Sequence, residues 1–121
     1  MKILIVDDHQ DVADSLAMVM RLKGHNVSVH YTAREGISEA KRSQPEVILH
    51  DIAMPGMSGY DAIRCLRQDP ALKEALIVAI TAYNTSEHRQ RAKEAGFDHL
   101  MVKPPDLEAL LSLIDALGSK R

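Results

Sequence analysis

Five short runs rich in apolar and β-branched residues alternate along this chain with longer segments of helical period. The pattern predicts strands at Lys2–Val6, Val27–Tyr31, Glu46–His50, Leu76–Ile80 and His99–Val102. It predicts helices at Asp11–Lys23, Ala33–Ser43, Gly59–Arg67, Ser86–Ala95 and Leu107–Leu117. Repeated strand–helix units leave few topologies, because parallel crossovers within one sheet are right-handed and need a helix on the sheet face. The first, third and fourth runs are continuously apolar, as strands covered on both faces should be. The second, Val27-Ser28-Val29-His30-Tyr31, alternates and reads as an edge. Gly24, Gly96 and Gly118 fall where helix-ending glycines belong, Thr85 and Asp106 where helices are capped, and Pro45 blocks helix continuation. The expectation is one α/β domain over residues 1–121, doubly wound around a five-stranded parallel sheet.

A chain of 121 residues is long enough for one real core. Its net charge of −2 argues against direct DNA binding, which calls for a basic face. Cys65 is the only cysteine, so no intrachain disulfide can form, which fits a reducing, cytoplasmic setting. The first apolar run is too short for a signal peptide, and no stretch approaches the ~20 apolar residues of a membrane span. The last periodic segment lies close to the end of the sequence, so no appended output domain is expected.

Two of the apolar runs end in acids. Ile3-Leu4-Ile5-Val6 leads into Asp7-Asp8, and Val47-Ile48-Leu49-His50 leads into Asp51. As neighbouring parallel strands they bring three carboxylates to one sheet edge, where doubly wound sheets bind ligands. Such carboxylates resist joint ionisation, unless a hard, oxygen-seeking cation such as Mg²⁺ neutralises them. That combination points to phosphate chemistry on a metal.

Asp51 is the candidate nucleophile, since an exposed strand-end carboxylate beside a flexible loop, here Ile52–Gly59, can form an aspartyl phosphate. A turn-capping role is the plain alternative. Asp7 and Asp8 are candidate metal ligands, although an acidic pair also suits the first turn of a helix. Lys103, at the end of the fifth strand, can pair with Asp51 or with a phosphoryl oxygen. Pro104 after it predicts a fixed turn, with a cis bond among the options. Thr81 ends the fourth strand and can donate a hydrogen bond to a phosphoryl oxygen, although it also suits a strand as a β-branched residue.

The ordered set Asp-Asp, Asp, Thr, Lys-Pro on successive β/α units carries a resemblance. Over nearly its whole length the chain resembles the receiver domains of two-component response regulators, in the stretches ILIVDDHQD, PEVILHDIAMPGMSGYD, IVAITAYN and AGFDHLMVKPPD. The resemblance implies a flavodoxin-like (βα)₅ fold with strand order 2-1-3-4-5. It implies Asp51 as phosphoacceptor, with Thr81 as the switch hydroxyl and Lys103 as the phosphoryl-contacting lysine. Mg²⁺ (or Mn²⁺) would be held by Asp7, Asp8, the Asp51 carboxylate and the Ala53 backbone carbonyl. Implied partners are a sensor histidine kinase or histidine phosphotransfer protein, a downstream protein target and, on phosphorylation, a second copy of the chain. The chemistry would be phosphotransfer and dephosphorylation at Asp51 itself, not enzymatic turnover.

The chain also departs from the family pattern. Leu100 stands three residues before the lysine, where the family usually carries an aromatic. Tyr83 is a partial substitute for it, with a plain exposed aromatic the simpler reading. His50 replaces a usually apolar residue, and strand alternation turns it away from Asp51; a buried, hydrogen-bonded, neutral imidazole is expected. His9 lies near the acidic edge, where contact with the site is one reading and surface placement the preferred one. A haloacid-dehalogenase-type phosphohydrolase needs a second acid two residues after the nucleophile, and that position is Ala53. A flavodoxin-like cofactor binder would carry hydroxyls and glycine, not Asp7-Asp8, in its first loop. A scaffold-only receiver is the remaining alternative.

Overall fold

A computed structural model describes residues 1–82 and 85–119. The elements alternate as expected: β1 (Lys2–Val6), α1 (Gln10–Leu22), β2 (Asn26–His30), α2 (Ala33–Ser43), β3 (Val47–Asp51), α3 (Gly59–Arg67), β4 (Leu76–Thr81), α4 (Ser86–Ala95), β5 (His99–Val102) and α5 (Leu107–Ser119). A short 3₁₀ turn, Pro70–Leu72, precedes β4. The strands pair in parallel in the order β2-β1-β3-β4-β5.

Strand alternation divides the core in two. Ile3, Ile5, Val47, Leu49, Val78 and Ile80 face one way and pack with Ala13, Leu16 and Met20 of α1 and with Leu110 and Ile114 of α5. Leu4, Val6, Ile48, Ile77 and Ala79 face the other and pack against α2, α3 and α4. Burial of apolar surface on both faces explains the unbroken apolar runs of β1, β3 and β4. None of the helices among the described residues is long and apolar enough to cross a membrane.

The helix boundaries follow local chemistry. Thr32, Ser58 and Thr85 accept from the main-chain N–H three residues on, at Glu35, Asp61 and His88, and Asp106 accepts from Ala109. Each satisfies a helix-end donor that has no partner inside the helix. Gly24 ends α1 at φ +90°, and the following His25 N–H reaches back to Met20 O at 3.2 Å, the reverse turn that glycine tolerates without a steric penalty. Gly118 departs from expectation. It is not in a left-handed conformation, and α5 runs through it to Ser119, whose hydroxyl donates to Asp115 O. The Lys103–Pro104 peptide is cis.

Candidate functional site

The sheet register builds the site. Val6 of β1 is level with His50 of β3, and Asp51 is level with Ile80 of β4. One step past Val6, Asp7 therefore emerges beside Asp51. Thr81 is level with Val102, which puts Lys103 one step beyond the end of the sheet. The main chain is held there: the Lys103 N–H donates to Thr81 O at 2.8 Å, and the Asp7 N–H donates to His30 O at 3.1 Å.

Asp7 and Asp51 are 4 % and 3 % exposed, so water does little to solvate their charges. Lys103 answers them. Its Nζ is 2.8 Å from Asp7 Oδ2 and 3.1 Å from Asp51 Oδ2. Burial, then the charge of Asp7, push the Asp51 carboxyl up to about 6 against the pull of Lys103. Burial pulls the lysine down, but the Asp7 and Asp51 carboxylates outweigh it and raise it, so the ammonium stays charged.

The donor set suits a hard cation. Asp8 Oδ1 is buried and has no hydrogen-bond partner, an expensive state for a carboxylate oxygen. Metal-ligating atoms of Asp7, Asp8, His9 and Asp51 all lie within 4.8 Å of one another. Three carboxylates, one of them with an unmet oxygen, match the oxygen-rich coordination of Mg²⁺. A cleft of about 540 Å³ opens beside them, lined by Asp8, Asp51, Ala53, Ala82 and Lys103 among others.

Asp7, Asp8, Asp51 and Lys103 thus converge as expected, and Ala53 shares their cleft. Thr81 closes β4 beside them, buried at 1 %, while its neighbour Ala82 lines the cleft. His9 is on the surface as expected, and it also touches the cluster. Its side chain is 63 % exposed, yet Nδ1 sits 3.3 Å from Asp7 Oδ1 and 3.1 Å from Lys103 Nζ. Its position straight after Asp7-Asp8 was the sequence signal for this contact. His50 is buried, and its Nδ1–H donates to the Asp51 carbonyl at 2.6 Å, while Nε2 has no partner. Burial holds this imidazole below its ordinary range, hence neutral. Leu100 is half-buried against the α2–α4 side of the core. Tyr83 lies outside the described residues.

Residues 3–115 match the family model described as the response regulator receiver domain. The chain belongs to the response regulator receiver family. It is 36 % identical over 114 residues to an uncharacterised 14.6 kDa protein of Leptolyngbya boryana, covering 94 % of this chain and 87 % of that protein. It is 31 % identical over 116 residues to protein PilH of Pseudomonas aeruginosa, covering 96 % of each. The chemotaxis response regulator CheY4 of Vibrio cholerae superposes with a TM-score of 0.88 at 27 % identity, over 96 % of this receiver and 97 % of that chain. Receivers are signalling switches of two-component systems that bind Mg²⁺ at an acidic pocket, and this receiver gathers Asp7, Asp8, His9 and Asp51 into a group that could hold a metal ion.

Proposed function

We propose that this receiver accepts a phosphoryl group on Asp51 from a histidine kinase or histidine phosphotransfer protein, with Asp7, Asp8, Asp51 and the Ala53 carbonyl holding Mg²⁺. The observation that carries this reading is the convergence of Asp51 with Lys103 and two further carboxylates at the carboxyl edge of the sheet. One Asp51 carboxylate oxygen attacks phosphorus, the oxygen–phosphorus bond forms, and the bond to the donor imidazole nitrogen breaks on the opposite side. Bound Mg²⁺ supplies electrostatic neutralisation of the carboxylates and phosphoryl oxygens. Lys103 moves its hydrogen bond from the carboxylate to a phosphoryl oxygen, and the Thr81 hydroxyl donates to another. His50 fixes the Asp51 carbonyl from the opposite face, so the attacking carboxylate starts from a held main chain.

Phosphorylation adds roughly one to two negative charges at the site, and the Thr81 hydroxyl turns toward them. The output is altered binding of a downstream protein or onward transfer of the phosphoryl group. Incubation with a small phosphodonor or beryllofluoride plus Mg²⁺, read by intact mass and NMR, tests this. A Mg²⁺-dependent adduct that disappears in Asp51→Asn is expected. No change with Mg²⁺ overturns the switch reading, and an adduct persisting in Asp51→Asn overturns the choice of residue.

A further inference from the structure

The Lys103 ammonium carries three hydrogens, and three acceptors surround it: Asp7 Oδ2 at 2.8 Å, Asp51 Oδ2 at 3.1 Å and His9 Nδ1 at 3.1 Å. An ammonium has no lone pair, so in the tautomer that joins Lys103 at 3.1 Å, Nδ1 accepts and the imidazole proton sits on Nε2. The other tautomer donates to Asp7 Oδ1 at 3.3 Å. In the first tautomer an unprotonated ring nitrogen faces the carboxylates. It lies 3.3 Å from Asp7 Oδ1, 3.6 Å from Asp8 Oδ1 and 3.9 Å from Asp51 Oδ2. Ligand atoms ~2.1 Å from an octahedral cation stand about 3.0 Å apart when adjacent and about 4.2 Å apart when opposite. The Asp7 separation, 3.3 Å, is within about 0.3 Å of the adjacent value and the Asp51 separation, 3.9 Å, within about 0.3 Å of the opposite one, while Asp8 at 3.6 Å must shift to either.

The local chain supports the placement. His9 is the N-cap of α1, yet its side chain makes no capping hydrogen bond, unlike the residues that usually hold this position. Its main-chain N–H donates to Asp7 Oδ1 at 2.9 Å, which fixes where the imidazole begins. The ring is 63 % exposed, so it approaches from the solvent side, where water ordinarily completes a Mg²⁺ shell.

We propose that His9 contributes an imidazole nitrogen to the divalent cation of this receiver, shifting the site from Mg²⁺ toward cations that accept nitrogen, such as Mn²⁺ and Co²⁺. This rests on the assignment of Asp7, Asp8 and Asp51 as the metal-holding set and adds a fourth side chain to it. Mg²⁺ takes oxygen ligands, whereas imidazole suits the later divalent ions. Replacing the imidazole therefore weakens Co²⁺ more than Mg²⁺.

Calorimetric titration of the full chain with Mg²⁺, Mn²⁺ and Co²⁺, in wild type, His9→Asn and Asp8→Asn, tests it. The preference for Co²⁺ over Mg²⁺ is expected to fall about tenfold or more in His9→Asn, with Mg²⁺ affinity changed by less than about threefold. Electron spin-echo spectra of the Mn²⁺-loaded protein are expected to carry an imidazole-nitrogen signal that His9→Asn abolishes. Equal cation preference in wild type and His9→Asn, with binding lost in Asp8→Asn, overturns the role of His9 alone. Absence of binding in wild type, or undiminished binding in Asp8→Asn, overturns the metal-holding set and this proposal together.

Discussion

Lys103 Nζ stands 3.1 Å from Asp51 Oδ2 and bridges it to Asp7, so one ammonium offsets two buried carboxylates. Removing one partner of such a group leaves charge uncompensated where water cannot reach it. Lys103→Met is expected to lower the unfolding free energy by roughly 2–4 kcal/mol in the absence of divalent ions. Added Mg²⁺ should then stabilise the variant more than wild type, because the cation no longer competes with the ammonium for the same oxygens. Urea unfolding with and without Mg²⁺ measures both effects. A variant as stable as wild type without Mg²⁺ contradicts the pairing.

The raised carboxyl of Asp51 sets a pH dependence with a definite sign. Its ordinary value is 3.8 and the folded chain holds it at about 6, so the folded state keeps this proton longer than the unfolded state does. The stabilising contribution is fully present below the unfolded value and is lost as pH rises through the folded one. Asp51→Asn keeps the shape without the charge. It should gain of order 1–3 kcal/mol over wild type near neutral pH without divalent ions, with the gap closing below pH ~5. Denaturant titrations across that range provide the measurement, and a gap independent of pH refutes the assignment.

Glu39 carries the opposite sign. Arg42, at 2.6 Å, and His30, at 3.2 Å, hold its carboxyl at about 2. Its contribution is present above the unfolded value of 4.5 and is lost as pH falls toward 2. Arg42 is 74 % exposed, so water screens the pair and Glu39→Gln should cost only about 1 kcal/mol near neutral pH. That difference should vanish in acid, as chemical denaturation from pH ~6 to pH ~2 can show.

Gly59 opens α3 directly against the end of β3. A Cβ added there would meet Asp51 O at 2.5 Å and Ile52 Cα at 2.6 Å. Both are main-chain atoms that cannot swing aside. Gly59→Ala should cost about 2 kcal/mol or more and displace the Asp51 amide signal in a ¹H–¹⁵N spectrum. A variant with wild-type stability and an unshifted Asp51 resonance refutes the close packing.

Sequence patterning carried most of this architecture because both faces of the sheet are covered. Continuous apolar runs mark β1, β3 and β4, and their ends fall within one residue of the expected positions. Asp7, Asp8 and Asp51 were legible for the same reason, each sitting where such a run stops, and Lys103 by its place at the end of the fifth strand. His9 was not. It lies beyond the strand, where the period-two pattern no longer says which way a side chain turns, and an exposed ring and a ring touching the cluster read alike. Gly118 misled because glycine permits a left-handed turn without requiring one. The clash at Gly59 depends on how α3 lies against Asp51–Ile52, which no local pattern encodes.

Lys103 meets Asp51 across 52 positions of chain and His9 across 94. The acids are made early and their counter-charge late, so no partly synthesised chain can hold the complete constellation. Contacts this distant form only after the intervening loops have closed. A copy truncated before β5 therefore keeps its buried acids without the ammonium that offsets them.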